Sequence, residues 1–145
     1  VEGLPAVMLF TEVRGLPVLV PARAGRIGTV TSLAVDVASG AVSHVRFRGG
    51  RLRGETVLPW EAVRSIGPGA LRVESADAAP GTGPPCHDLL DRRVLTDAGT
   101  DHGTVLDVAF DTETGRLLAV FTTRGEVPAN RLLGLGDHAL VVRAG

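Results

Sequence analysis

The chain has 145 residues, with fifteen basic side chains that are all Arg, sixteen acids and a net charge of −1. At 44% apolar and 21% charged residues it reads as folded protein, as one domain or two very small ones, and not as a disordered segment. Four Phe, a single Trp and no Tyr leave few rings for stacking bases, which argues against a reader of single-stranded nucleic acid.

The excess of Ala, Gly, Val and Pro beside Arg fits GC-rich coding, so Arg in place of Lys is not read as phosphate chemistry. The charge is uneven. Residues 1–76 carry nine Arg against six acids, and residues 77–145 carry six Arg against ten acids. The halves are therefore expected to attract each other or to face different partners. A lone Cys86 excludes an intrachain disulfide and suits a reducing cytoplasm. No apolar run approaches the roughly 20 residues that span a bilayer. The first residues lack a basic n-region, so no secretory signal is expected there. Residues 1–7 are read as a tail ahead of Met8.

Along the chain, short runs of Val, Leu, Ile and Thr bounded by Gly, Pro and Asp predict strands at 18–21, 28–35 and 42–48, and again at 105–110 and 117–122. D-V-A-S-G (36–40) and D-T-E-T-G (111–115) predict hairpin loops, in which Asp accepts backbone N–H bonds and Gly supplies a positive φ. R-F-R-G-G-R-L-R (46–53) reads as a hairpin with Gly49-Gly50 as a two-residue turn. That turn would set Arg48 opposite Arg51, Phe47 opposite Leu52 and Arg46 opposite Arg53, with all four Arg on one face. P-W-E-A-V (59–63) and P-A-N-R-L (128–132) predict single helical turns with Pro first. Residues 75–87 are rich in Pro and Gly, lack apolar periodicity and read as a linker.

The chain repeats itself. Gly28, Thr29, Val30, Asp36 and Gly40 recur as Gly103, Thr104, Val105, Asp111 and Gly115, at an offset of 75. Pro59, Gly67 and Ala70 recur as Pro128, Gly136 and Ala139, at an offset of 69. The second copy therefore lacks six residues, most of the 46–53 segment. Two modules are expected, 8–74 and 88–145, each of five or six short strands with one helical turn. Such content suggests a small β-barrel. Alternation and agreement between the copies place Val18, Val30, Val35, Val45, Phe47, Leu58, Val63 and Leu71 in a first core. Val94, Val105, Val108, Phe110, Val120, Val127, Leu132 and Leu140 fall in a second. Homologous modules often pair as a homodimer would, so an approximate two-fold relation is expected.

The ordered motifs G-L-P-V (15–18), I-G-T-V (27–30), D-V-A-S-G, L-P-W-E-A-V (58–63) and I-G-P-G-A-L (66–71) resemble the PRC-barrel family. The second copy repeats most of them, departing at Asp91 for Gly15, His102 for Ile27 and Ala129 for Trp60. The layout is similar to small two-copy members from actinobacteria. The resemblance implies an all-β fold of two barrels in tandem and a non-catalytic role in docking to other macromolecules. The family includes domains of the photosynthetic reaction-centre H subunit and of the ribosome maturation factor RimM.

Among candidate sites, the Arg46, Arg48, Arg51 and Arg53 hairpin reads either as a solvated face or as a surface for an anionic partner. Trp60 reads either as a plug over a barrel end or as an interface anchor. No metal site is expected: Cys86 and His87 sit on the linker, His44, His102 and His138 are scattered, and zinc needs about four convergent ligands. No catalytic residues and no cofactor are expected either. The chain has no Gly-x-Ser-x-Gly elbow, no His-Glu-x-x-His and no phosphate loop. Asp36 and Asp111 are explained by their hairpins, and Asp101-His102 reads as a solvent-facing turn. The leading expectation is a cytoplasmic protein-interaction module, an adaptor or assembly factor with an acidic protein partner. The alternative is a ribosome- or RNA-associated factor that uses the arginine hairpin.

Overall fold

The computed structural model describes residues 6–20, 26–49, 55–67, 69–74, 88–136 and 138–144. The first repeat contributes β2 (Pro17–Leu19), β3 (Arg26–Asp36), β4 (Ala41–Arg48), β5 (Glu55–Pro59), a 3-10 turn (Trp60–Ala62), β6 (Val63–Gly67) and β7 (Ala70–Val73). Ahead of it stand β1 (Val7–Leu9) and a one-turn helix α1 (Phe10–Val13). The second repeat contributes β8 (Arg93–Thr96), β9 (Asp101–Asp111), β10 (Leu117–Thr122), β11 (Gly125–Pro128), a 3-10 turn (Ala129–Arg131), β12 (Leu132–Leu135) and β13 (Ala139–Val142). The expected strands and both helical turns are present. Asp101 and His102 open β9 and do not form a turn. The Asp101 carboxylate accepts the Gly103 amide at 2.9 Å, which holds the start of the strand.

The two sheets have one topology. The first runs β5-β4-β3-β2-β7-β6 and the second β11-β10-β9-β8-β13-β12. In each, the first short strand lies parallel to the last, β2 to β7 and β8 to β13, and the other ladders are antiparallel. The repetition reaches single bonds. The Glu74 amide donates to the Ala62 carbonyl at 3.0 Å, and the Arg143 amide donates to the Arg131 carbonyl at 2.7 Å. Gly15 takes φ +93° and donates its amide to the Val30 carbonyl, and Asp91 takes φ +66° to donate to the Val105 carbonyl. The bond requires the left-handed backbone, so Asp91 adopts it without the freedom of glycine. The architecture is all-β, as expected. Among the described residues no ladder joins β5 to β6 or β11 to β12, so neither described sheet closes by backbone pairing.

The hairpin loops form as read. The Asp36 carboxylate accepts the Ala38 amide at 3.1 Å, and Asp111 accepts the Glu113 amide at 2.8 Å. Gly40 and Gly115, at φ +69° and +80°, close the loops onto the Asp36 and Asp111 carbonyls. The two loops also meet each other. The Val42 amide donates to the Gly115 carbonyl at 2.8 Å, and the Leu117 amide donates to the Gly40 carbonyl at 2.9 Å, about an Ala41–Arg116 bridge. Each bond is the repeat counterpart of the other.

The N-terminal segment crosses between repeats. β1 adds to the second sheet, with Val7, Met8 and Leu9 opposite Asp111, Phe110 and Ala109. The Ala6 carbonyl accepts the Thr112 amide at 2.8 Å. Ala6 and Val7 are therefore held by backbone bonds, because the edge of β9 offers partners for their polar groups, and the rest of the expected tail, residues 1–5, lies outside the described residues. The expected core residues are buried, with Val63 and Leu132 partly so. Phe10, Val13, Leu33, Val73, Leu89 and Val142 join them, and one apolar cluster runs through both repeats.

Candidate functional site

The arginine segment differs from its expected hairpin. β4 pairs β5 with Arg48 opposite Glu55, Phe47 opposite Thr56 and Arg46 opposite Val57. The connection is therefore residues 49–54 and not the Gly49-Gly50 pair. A turn at Gly49-Gly50 would place Arg against Arg on two rungs, which is repulsive. The longer connection places Arg48 across from an acid, and the Thr31 hydroxyl donates to that Glu55 carboxylate. Arg51, Arg53 and Leu52 lie outside the described residues. The second repeat makes the tight version. Thr122 pairs with Gly125 across Thr123-Arg124, so the six missing residues belong to this connection and leave the ladders in register.

Arg48 is exposed and Arg46 is half-buried. Arg46 acts on the carboxyl of Asp88, and Arg14 approaches the same carboxyl at 3.7 Å. Burial pushes the Asp88 carboxyl above its ordinary value. The Leu90 amide, donating at 3.0 Å, and the two arginines pull it partly back, while Asp91 adds to the rise. Here basic groups of the first half meet an acid of the second, and part of the arginine face is turned to this internal task.

Trp60 is half-buried and turned to the second repeat. Its ring stands edge-on to Phe110, which stands edge-on to Phe10 with centroids 5.4 Å apart. A Cβ built on Gly115 would lie 2.9 Å from the indole, so the absence of a side chain at 115 makes room for Trp60. The 3-10 turn of the first repeat thus faces the hairpin of the second. The converse holds too: Ala129 and Asn130 share a hollow with Ser39 and Gly40.

Cys86 and His87 lie outside the described residues, and those described contain no group of three His, Cys, Asp or Glu side chains placed to hold a metal. No helix among them is long and apolar enough to cross a membrane.

Sequence reasoning missed the exposed leucines. Leu106, Leu118 and Leu133 are 57%, 41% and 51% exposed. Each is the extra residue of a β-bulge: Leu106 between the Asp107–Phe121 and Val105–Thr122 pairs, Leu118 between Leu117 and Ala119, Leu133 between Leu132 and Gly134. Bulges re-aim a side chain away from the ladder. The first repeat carries the same three bulges at Thr31, Ser43 and Arg64. Three polar residues in one copy are thus three outward leucines in the other. The repeat alignment holds this signal, since the offsets of 75 and 69 pair these positions. What it lacks is exposure, because a Leu in a strand reads as core.

No curated protein sequence matches the chain. Residues 85–145 match the family model of the PRC-barrel domain, a span that contains every strand of the second sheet contributed by the second repeat. The second repeat of this chain is similar to the PRC-barrel domain.

Proposed function

We propose that the chain is a non-catalytic protein-interaction module, a cytoplasmic adaptor or assembly factor built from two PRC-type barrels in tandem about an approximate two-fold axis. The shared strand order and the reciprocal bonds between hairpins support the arrangement. The observation that carries the role is the set of outward leucines on the second repeat. Polar Thr31, Ser43 and exposed Arg64 suit a surface that stays free, whereas exposed Leu at the same bulges loses contact with water only when something covers it.

The RNA reading has less support. Arg48 faces Glu55 and Arg46 serves Asp88, so two of the four arginines already have acidic neighbours. Capture from lysate separates the readings. The chain should retain a partner after nuclease treatment. Replacing Leu106, Leu118 and Leu133 by the Thr, Ser and Arg of the first repeat should abolish that retention while the protein stays folded. Nuclease-sensitive capture would instead favour RNA. Its salt slope would be about −3 to −4 on a log–log plot, and it would be lost when Arg46, Arg48, Arg51 and Arg53 become Gln.

A further inference from the structure

The two repeats differ in what fills the space between a 3-10 turn and the opposite hairpin. On one side Trp60 reaches over Gly115 to Phe110. On the other side the same places hold Ala129, Gly40 and Val35. A Cβ built on Gly40 would meet nothing within 4 Å. The space left is a hollow of about 420 Å³, lined by Ser39, Gly40, Leu117, Leu118, Ala129 and Leu132 together with Arg116. A second hollow of about 330 Å³, which Leu133 lines, shares Val37 and Ala38 with it. Each falls within the range of small binding pockets.

We propose that this slot receives an aromatic side chain of a partner protein, held over Gly40 as Trp60 is held over Gly115, with a neighbouring carboxylate of the partner against Arg116. The proposal rests on the interaction-module reading and narrows it to one place and one chemistry. The twin site shows which occupant the geometry accepts: a flat ring lying on a glycine. The surroundings differ in the direction the proposal requires. Arg64 lines the hollow on the Trp60 side where exposed Leu133 lines its twin, and exposed Leu118 lines the hollow over Gly40 where the first repeat has Ser43 at the matching bulge. The Trp60 side keeps a hollow of about 370 Å³ lined by Trp60, Arg64, Thr112 and Glu113, but there the indole takes the space over Gly115, whereas the space over Gly40 is open and an apolar border favours filling it. Arg116 is the one ionisable side chain among the described residues lining the larger hollow, and its repeat counterpart is Ala41. A guanidinium there matches a carboxylate and can also lie against the ring.

The test uses the full chain labelled with ¹⁵N and indole-3-acetate as probe, a ring with one carboxylate. Saturable amide shifts are expected at Gly40, Leu118, Ala129 and Leu132. Ala129→Trp, which supplies the ring in cis, should weaken the probe at least tenfold and raise the thermal midpoint. Arg116→Ala should weaken indole-3-acetate several-fold and leave uncharged indole unchanged. Should Ala129→Trp fail to fold, the double variant Leu118→Ser, Leu133→Arg replaces it, with the same loss expected. Absent shifts, shifts elsewhere, or equal affinity in the variants would overturn the proposal. Capture of a partner that survives Ala129→Trp would overturn the slot and leave the interaction-module reading standing. Probe binding by a chain that captures no protein would overturn both, leaving a small-molecule site. Self-association that Ala129→Trp abolishes would make the occupant a second copy and overturn the partner proposed here.

Discussion

Trp60 stands edge-on to Phe110, with ring centroids 6.1 Å apart and planes at 81°. The contact joins the 3-10 turn of one repeat to the longest strand of the other. Offset and edge-to-face rings contribute about 0.5–1.5 kcal/mol beyond the area they bury. Trp60→Ala should therefore cost about 2–3 kcal/mol, below the fully buried range because the indole is half-buried. Urea denaturation followed by circular dichroism measures this. An effect under about 0.5 kcal/mol would show that the ring contributes little to joining the repeats.

Phe110 is fully buried between Phe10 and Trp60. Phe110→Ala should cost about 3–5 kcal/mol. A domain has only about 5–15 kcal/mol in total, so the variant should be close to unfolding at room temperature. Its amide spectrum should lose dispersion in both repeats, because one apolar cluster runs through them. Loss confined to the second repeat would contradict a shared core.

Asp91 holds φ +66°, where the first repeat uses Gly15 at +93°. An L-residue is disfavoured there, and Asp tolerates it better than most. Asp91→Gly should stabilise the protein by about 0.5–1 kcal/mol, net of the extra entropy that glycine brings to the unfolded chain. Gly15→Ala should cost about 1 kcal/mol, and since a Cβ there meets nothing within 4 Å the cost is conformational and not steric. Chemical denaturation of the two variants should shift in opposite directions.

Asp88 titrates above its ordinary value of 3.8 in the folded protein, chiefly through burial. A raised carboxyl binds its proton more tightly in the folded state than in the unfolded chain. Its contribution to stability therefore falls as pH rises from the unfolded value to the folded one, and is constant above that. Wild type should gain stability relative to Asp88→Asn as pH is lowered from neutral towards about 4. A flat difference would mean that the Leu90 amide and the two arginines balance burial, and one that runs the other way that they outweigh it.

Much of the fold is legible in the residues because it rests on local physics. Period-two alternation places Val45 and Phe47, and likewise Val108 and Phe110, on the inner face. Asp36 with Gly40, and Asp111 with Gly115, specify their loops through bonds and backbone angles that span only five residues. Pro59 and Pro128 mark the 3-10 turns by their fixed φ. Repetition strengthens each reading, since two diverged copies agree wherever the backbone demands it.

Tertiary structure decided the rest. Gly49-Gly50 is as good a tight turn as any by composition, yet the ladder resumes only at Glu55, opposite Arg48. Charge across the ladder favours Arg48 against Glu55, a choice that depends on pairing partners and not on the turn residues. β1 could have paired within its own repeat. Only the assembled molecule shows that the edge of β9 takes it. Trp60 and the three bulged leucines have the composition of core, and their orientation depends on which ladder skips a residue and which repeat lies opposite. The Ala129 hollow is the clearest case. Its sequence signal is one missing Trp, and its meaning appears only when the hairpin of the other repeat, with Gly40 bare, lies against it.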